Sequence, residues 1–241
     1  MTPAQSLVPP LLPLTDALLD AETPIMTTID APADEPGAEP ALPVGSFGGK
    51  ITVVAGRRSL REAVRYLSTQ SMLGFDTETK PMFIAGRRNN NTVALLQLTT
   101  DERAYLFRLN KIGLPRSIAD LLASKDILKV GAAIHEDMRQ LQAAFFFRPA
   151  GFVDIQRVVP FYGFVEKGVK KLAARILHVH ISKNQQLSNW ESPMLTRSQC
   201  LYAATDAWVC REIFLALQKE RPLTDAEWKQ VLKNPLKSPA P

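Results

Sequence analysis

A chain of 241 residues, 46% hydrophobic and 22% charged, is long enough to bury one sizeable core and has a soluble globular composition. It lacks an apolar run of the ~18–20 residues that span a bilayer and a basic-then-apolar secretory leader. It is therefore expected inside the cell, in the cytoplasm or, in a eukaryote, the nucleus, without a membrane partner. Two cysteines, Cys200 and Cys210, exclude a disulfide framework, while the net charge of +5 divides into seven acids and no Lys or Arg in residues 1–49 and +12 on the remainder.

Residues 1–49 also hold nine of the eighteen prolines and no sustained periodicity, so they read as a disordered acidic leader. Within it, residues 14–22 suit a short helix on a protein partner or an internal polyanion mimic over the basic body, beside the plain reading of a solvated tail. Ordered structure is expected from Lys50. A strand at 51–54 precedes a helix opened by the capping box Ser59-Leu-Arg-Glu62 and running to Leu67. Strands at 72–75, 92–98 and 104–107 follow, the last two joined by a turn at 99–102.

Strand and helix then alternate. Residues 127–130 and 152–155 read as strands, and 135–147 as a helix with Ile134, Met138, Leu141 and Phe145 on its core stripe. Residues 168–177 form an amphipathic helix, and a long helix starts at Thr196, with Gln199 completing its capping box, and runs to about Gln218. This order predicts an α/β domain over residues 50–219, a mixed sheet flanked by helices, followed by a short C-terminal extension at 220–241.

Four carboxylates sit where solvent-facing residues are not required. Asp76-Thr-Glu78 ends a strand, and strand alternation projects both acids from one face, although a solvated turn explains an isolated Asp-x-Glu equally well. Asp137 flanks the apolar stripe of its helix, whereas Glu136 points away. Asp206 falls on one stripe of the last helix with Tyr202, Ile213 and Leu217, which sets the tyrosine hydroxyl one turn from the acid. Taken singly, Tyr202 also suits a core aromatic with a wet tip. If the four acids converge they repel one another unless cations lie between them, and hard oxygen donors without a His or Cys cluster select Mg²⁺ or Mn²⁺. Two such ions ~4 Å apart would activate a water and stabilise the leaving oxygen of a phosphodiester.

Phe75-Asp-Thr-Glu78, Lys129-Val-Gly-Ala-Ala-Ile-His-Glu-Asp137 and Leu201-Tyr-Ala-Ala-Thr-Asp206 occur in the order of the DEDD (DnaQ-like) superfamily of 3′–5′ exonucleases, which the chain resembles over about residues 50–219. Tyr four residues before the last Asp is the pattern of the DEDDy branch. Ser188-Asn-Trp190 with the following Leu195 and Leu-Tyr-Ala-Ala-Thr-Asp206 is especially similar to the Werner-syndrome-type exonuclease domain, and more distantly to ribonuclease D.

The resemblance implies a ribonuclease H-like fold and stepwise hydrolysis of DNA or RNA from the 3′ end, releasing nucleoside 5′-monophosphates. It also implies two divalent cations, Mg²⁺ or Mn²⁺. Asp76, Glu78 and Asp206 would hold one ion, with Asp76 bridging to the second and Asp137 supporting that second ion largely through water. Tyr202 would position the attacking water, and Thr77 and Leu98 would lie near the terminal nucleotide. Lys80, Arg87 and Arg88, in the loop after the first acidic strand, and Lys170 and Lys171, on the basic face of the 168–177 helix, are candidate strand contacts or else solvated charges. The alternative from another class is a non-catalytic nucleic-acid-binding module that keeps the fold.

Overall fold

The computed structural model describes residues 42–79 and 93–232. The leader up to residue 41 and the loop holding Lys80, Arg87 and Arg88 lie outside the described residues. In chain order the elements are β1 (Lys50–Val54), α1 (Arg57–Leu67), β2 (Met72–Thr79), β3 (Val93–Thr99), β4 (Arg103–Arg108), α2 (Leu109–Ile112), α3 (Arg116–Ala123) and β5 (Leu128–Gly131). They continue with α4 (His135–Ala144), β6 (Phe152–Asp154), α5 (Ile155–Val158), α6 (Val169–Leu172), α7 (Arg197–Glu220) and α8 (Asp225–Leu232).

The strands form one six-stranded sheet in the order β1-β4-β3-β2-β5-β6. β3 runs antiparallel to both β2 and β4, and the outer pairings are parallel. The predicted mixed α/β sheet is the observed one. Every residue of β3 is buried, as its near-continuous apolar run Val-Ala-Leu-Leu-Gln-Leu-Thr requires of a strand covered on both faces. On one face Leu67, Ile118, Leu122, Met138 and Leu141 of α1, α3 and α4 pack on Phe75, Leu96 and Leu98. α7 covers the other face with Ala203, Ala204, Val209, Ile213 and Leu217.

Several local expectations are corrected. Ser59 is not an N-cap: α1 begins two residues earlier, with Gly56 in extended conformation as cap, and the Ser59 hydroxyl donates to the Gly56 carbonyl at 3.0 Å from inside the helix. Phe145 leaves the core stripe because α4 ends at Ala144. Its backbone turns extended (φ −156°), leaving the side chain 41% exposed while Phe147 fills the core. The 168–177 helix is one α-turn, α6, followed by a π-turn at Ala173–Leu177 that ends on His178 in the left-handed region (φ 55°). The long helix keeps its predicted start: Thr196 accepts from the Gln199 amide and Gln199 Oε1 from the Thr196 amide.

The core also draws in residues assigned above to the flanks. Phe47 is buried against Trp208, and its amide donates to Thr205 Oγ1 at 3.0 Å, while Leu42, Pro43, Val44, Ser46 and Gly48 around it stay exposed. An apolar side chain with a satisfied amide gains more from burial than the same residue in a tail. At the other end α8 places Trp228 and Val231 in the α7-side core, and Arg221 pairs with Glu227 at 2.9 Å. Among the described residues no helix is long and apolar enough to cross a membrane.

Candidate active site

β2 carries the first two acids. Register pairs Asp76 with Gln97 and Thr77 with Leu96, so Asp76 and Glu78 turn toward α7 and Thr77 toward the α4 face. α7 approaches closely because the residues it lays on the sheet are small. Ala203, Ala204 and Ala207 line that side, and β2 answers with Gly74. Asp206 thereby reaches the β2 acids. One carboxylate oxygen from each of Asp76, Glu78 and Asp206 lies within 4.8 Å of the others, a group that could hold a metal ion.

Tyr202 stands one turn before Asp206, its hydroxyl close enough to the carboxylate to oppose the rise that burial imposes on Asp206. The ring is held from behind by the fully buried Trp190, centroid to centroid 6.0 Å. The loop carrying Trp190 is fastened by Arg108, which donates to the Ser192 carbonyl at 2.5 Å, and by Gln199, which donates to the Asn189 carbonyl at 3.3 Å. The Ser-Asn-Trp segment is thus the backing of the tyrosine.

Asp137 is not in the converging triad. It comes from the first turn of α4, and Thr77 Oγ1 donates to its Oδ1 at 2.5 Å. The entry to α4 is fixed by Asp154, whose Oδ1 accepts from the amides of Ala133 (3.1 Å) and Gln156 (2.9 Å). Asp137 is still close enough to act on the triad, since its charge helps raise both Asp76 and Glu78.

Electrostatics mark the acids as a strained set. Burial pushes Glu78 up to about 10, with the charges of Asp76, Asp206 and Asp137 adding to it. Burial, then the charges of Asp206 and Asp137, raise Asp76 well above its ordinary value against a hydrogen bond from the Thr77 backbone. Burial raises Asp137 to about 6 against the opposing Thr77 hydrogen bond. Asp206 also reaches about 6, burial being opposed by the Tyr202 hydroxyl and by Lys183 and Lys170. Burial and the neighbouring acids push the Tyr202 phenol above its ordinary value, so it stays a donor. Crowded carboxylates that cannot all ionise beside one another fit a hard divalent cation, which removes the repulsion and accepts oxygen ligands.

The acids open into a cleft of about 590 Å³. Asp76, Tyr202, Asp206 and Cys210 line it on the protein-core side, Glu166–Lys171 on one flank and Ile181, Ser182, Lys183 and Gln186 on the other. Lys170 and Lys171 therefore stand on the cleft as expected. Leu98 does not: it is completely buried on the α1–α4 face of the sheet, with its partner Phe75. Thr77 spends its hydroxyl on Asp137. Lys183 was missed, because a single lysine in a loop without periodicity carries no signal until the fold brings it to Asp206.

Comparison with known proteins agrees with this geometry. The model of a 3′-5′ exonuclease family matches residues 51–221. The bifunctional 3′-5′ exonuclease/ATP-dependent helicase WRN of Mus musculus is 32% identical over 153 residues, which cover 59% of this chain and 10% of that protein. Ribonuclease D of Musicola paradisiaca is 29% identical over 170 residues, 70% of this chain and 44% of the relative. The chain spans less than half the length of the curated relatives it matches. Among solved structures, the Nibbler EXO domain of Aedes aegypti superposes with a TM-score of 0.68 at 25% identity, covering 79% of this chain and all of that one. Escherichia coli RNase D, at 20% identity and a TM-score of 0.63 over 75% of this chain and 48% of that one, shares the ribonuclease H-like fold. With its family match extending over most of the body, and with the acids in place on β2 and α7, the chain belongs to the 3′-5′ exonuclease family.

Proposed function

We propose that this protein hydrolyses phosphodiester bonds of DNA, RNA or both from the 3′ end in a metal-dependent reaction, releasing nucleoside 5′-monophosphates. The observation that carries this reading is the convergence of Asp76, Glu78 and Asp206 within 4.8 Å, two of them, Asp76 and Asp206, lining a lysine-flanked cleft. Asp76, Glu78 and Asp206 would hold one divalent cation. Asp76 would also face a second, which Asp137, oriented by Thr77, supports. Two bound Mg²⁺ or Mn²⁺ ions would supply a water nucleophile at neutral pH and charge stabilisation for the leaving 3′ oxygen.

The chain's own groups do the positioning. Tyr202, one turn from Asp206 and backed by Trp190, would position an attacking water through its hydroxyl. Lys170 and Lys183, the two lysines felt at Asp206, compensate the phosphate charge brought into the cleft. The decisive assay offers 3′-recessed DNA and single-stranded RNA of equal length with Mg²⁺, Mn²⁺ or EDTA, beside an Asp76→Asn control. A one-nucleotide ladder from the 3′ end, lost in EDTA and in the variant, is expected. Tight binding without any ladder would replace the proposal with a non-catalytic binding module.

A further inference from the structure

The cleft is flanked by four lysines. Lys167, Lys170 and Lys171 lie on the segment that ends at His178, and Lys183 follows shortly on the opposite wall. Among the described residues the one flanking acid is Glu166, which is tied to Arg175 at 2.5 Å and so offers little charge to the cleft. A surface this basic, wide enough for a polymer rather than a single small anion, fits an extended polyanion.

The point at which the chain enters the described structure lies beside this surface. Pro43 accepts from the His180 amide at 2.8 Å and Gly45 donates to the His180 carbonyl at 2.9 Å, so that Val44 forms a parallel bridge with His180. From there residues 44–49 cross to α7, held by the Phe47 amide on Thr205, the residue before Asp206. The seven acids of residues 1–41, with no Lys or Arg among them, therefore precede a segment paired with His180, whose neighbour Ile181 lines the cleft.

Reach is sufficient. At ~3.3–3.6 Å per extended residue, Glu39 can lie up to about 11 Å from Leu42 and Glu35 up to about 25 Å. The span from His178 to Lys183 along the chain is at most about 18 Å by the same measure. A tether of this length keeps the acidic segment at a local concentration on the order of millimolar.

We infer that the acidic leader of this chain docks on the lysine-flanked cleft, with Asp34, Glu35 and Glu39 against Lys167, Lys170, Lys171 and Lys183, and competes there with a nucleic-acid strand. The inference relies on the proposed function only for the identity of the competitor. Weak, multivalent pairing of this kind is displaced by a long substrate and disrupted by salt, so it filters short or weakly held ends rather than closing the site.

The test uses the full chain and two readouts. First, zero-length carboxyl–amine cross-linking without nucleic acid or metal, mapped by mass spectrometry, is expected to join Asp34, Glu35 or Glu39 to the four cleft lysines within one molecule. Excess single-stranded oligonucleotide should suppress those links. Links spread over lysines elsewhere, such as Lys50, Lys111 and Lys229, or formed only between molecules, overturn the inference. Second, a full-length variant with all seven leader acids changed to Asn or Gln is expected to bind a single-stranded oligonucleotide in EDTA about 10-fold more tightly at low salt, with the gain vanishing at high salt. Equal affinity of variant and parent at low salt also overturns it. Because neither readout requires hydrolysis, a protein that docks its leader yet yields no 3′ ladder refutes the exonuclease reading alone.

Discussion

Gly74 on β2 and Ala207 on α7 are in backbone contact: a Cβ at position 74 would stand 2.2 Å from the Ala207 carbonyl oxygen and 2.4 Å from Thr99 Oγ1. That contact lets the helix bring Asp206 to the acids of β2. Gly74→Ala is expected to lift α7, costing on the order of 1–3 kcal/mol and reducing metal-dependent cleavage more than the stability loss explains. Thermal unfolding together with cleavage rates below the transition checks this. An unchanged rate would mean that the helix has slack over the site.

The metal-free protein is expected to lose stability as pH rises. All four acids titrate higher folded than unfolded, Asp137 and Asp206 at about 6 and Glu78 at about 10, so the native state binds more protons across that interval. The slope of unfolding free energy with pH is then negative. The contribution is complete below the ordinary carboxylate range, falls first through about 6, and then more slowly toward 10. Denaturant midpoints from mildly acidic to mildly alkaline buffer in EDTA measure it. Mg²⁺ should restore about 2.7 kcal/mol at a concentration of 100 times its Kd, and Asp76→Asn should flatten both responses.

Tyr202→Phe keeps the ring against Trp190 and removes only the hydroxyl on Asp206. Stability is expected to change little, while kcat falls about 10²-fold with KM nearly unchanged, as for a lost positioning contact. Single-turnover rates with a labelled 3′ end separate this from a binding defect. A KM effect alone would assign Tyr202 to substrate binding.

Thr77→Val removes the donor that holds Asp137. The divalent-ion concentration needed for half-maximal cleavage is expected to rise ~10-fold or more, with rates recovering at saturating metal. A metal titration of cleavage reads this directly. Thr77→Ser, which keeps the hydroxyl, should behave like the parent. If both variants weaken substrate binding and leave the metal requirement alone, Thr77 contacts the nucleotide instead.

The sequence revealed the chemistry more clearly than the packing. Asp76 and Glu78 share a face because strand alternation permits nothing else, and the Thr196 capping box sets the phase of α7 and hence of Tyr202 and Asp206. Those rules are local, and so they could be read. That Leu98 packs on the α1–α4 side was not legible, because alternation says which residues share a face but not which face the helices cover. Ser59 carried a capping pattern that Gly56 preempts with a backbone conformation invisible in composition. Phe47 looked like tail because its partners, Thr205 and Trp208, lie far along the chain. Lys183 was missed for the same reason. What tertiary contact alone decides was not legible.

The distance in sequence between β2 and α7 has a consequence during synthesis. Asp76 and Glu78 leave the ribosome long before Asp206, and α7 must arrive before the metal-binding group exists at all. Pairing so remote in sequence forms late in folding, after the local hairpins and helices. A nascent chain therefore lacks the three-carboxylate group until α7 has emerged and packed on β2, and the proposed means of cutting nucleic acid is completed only with that helix.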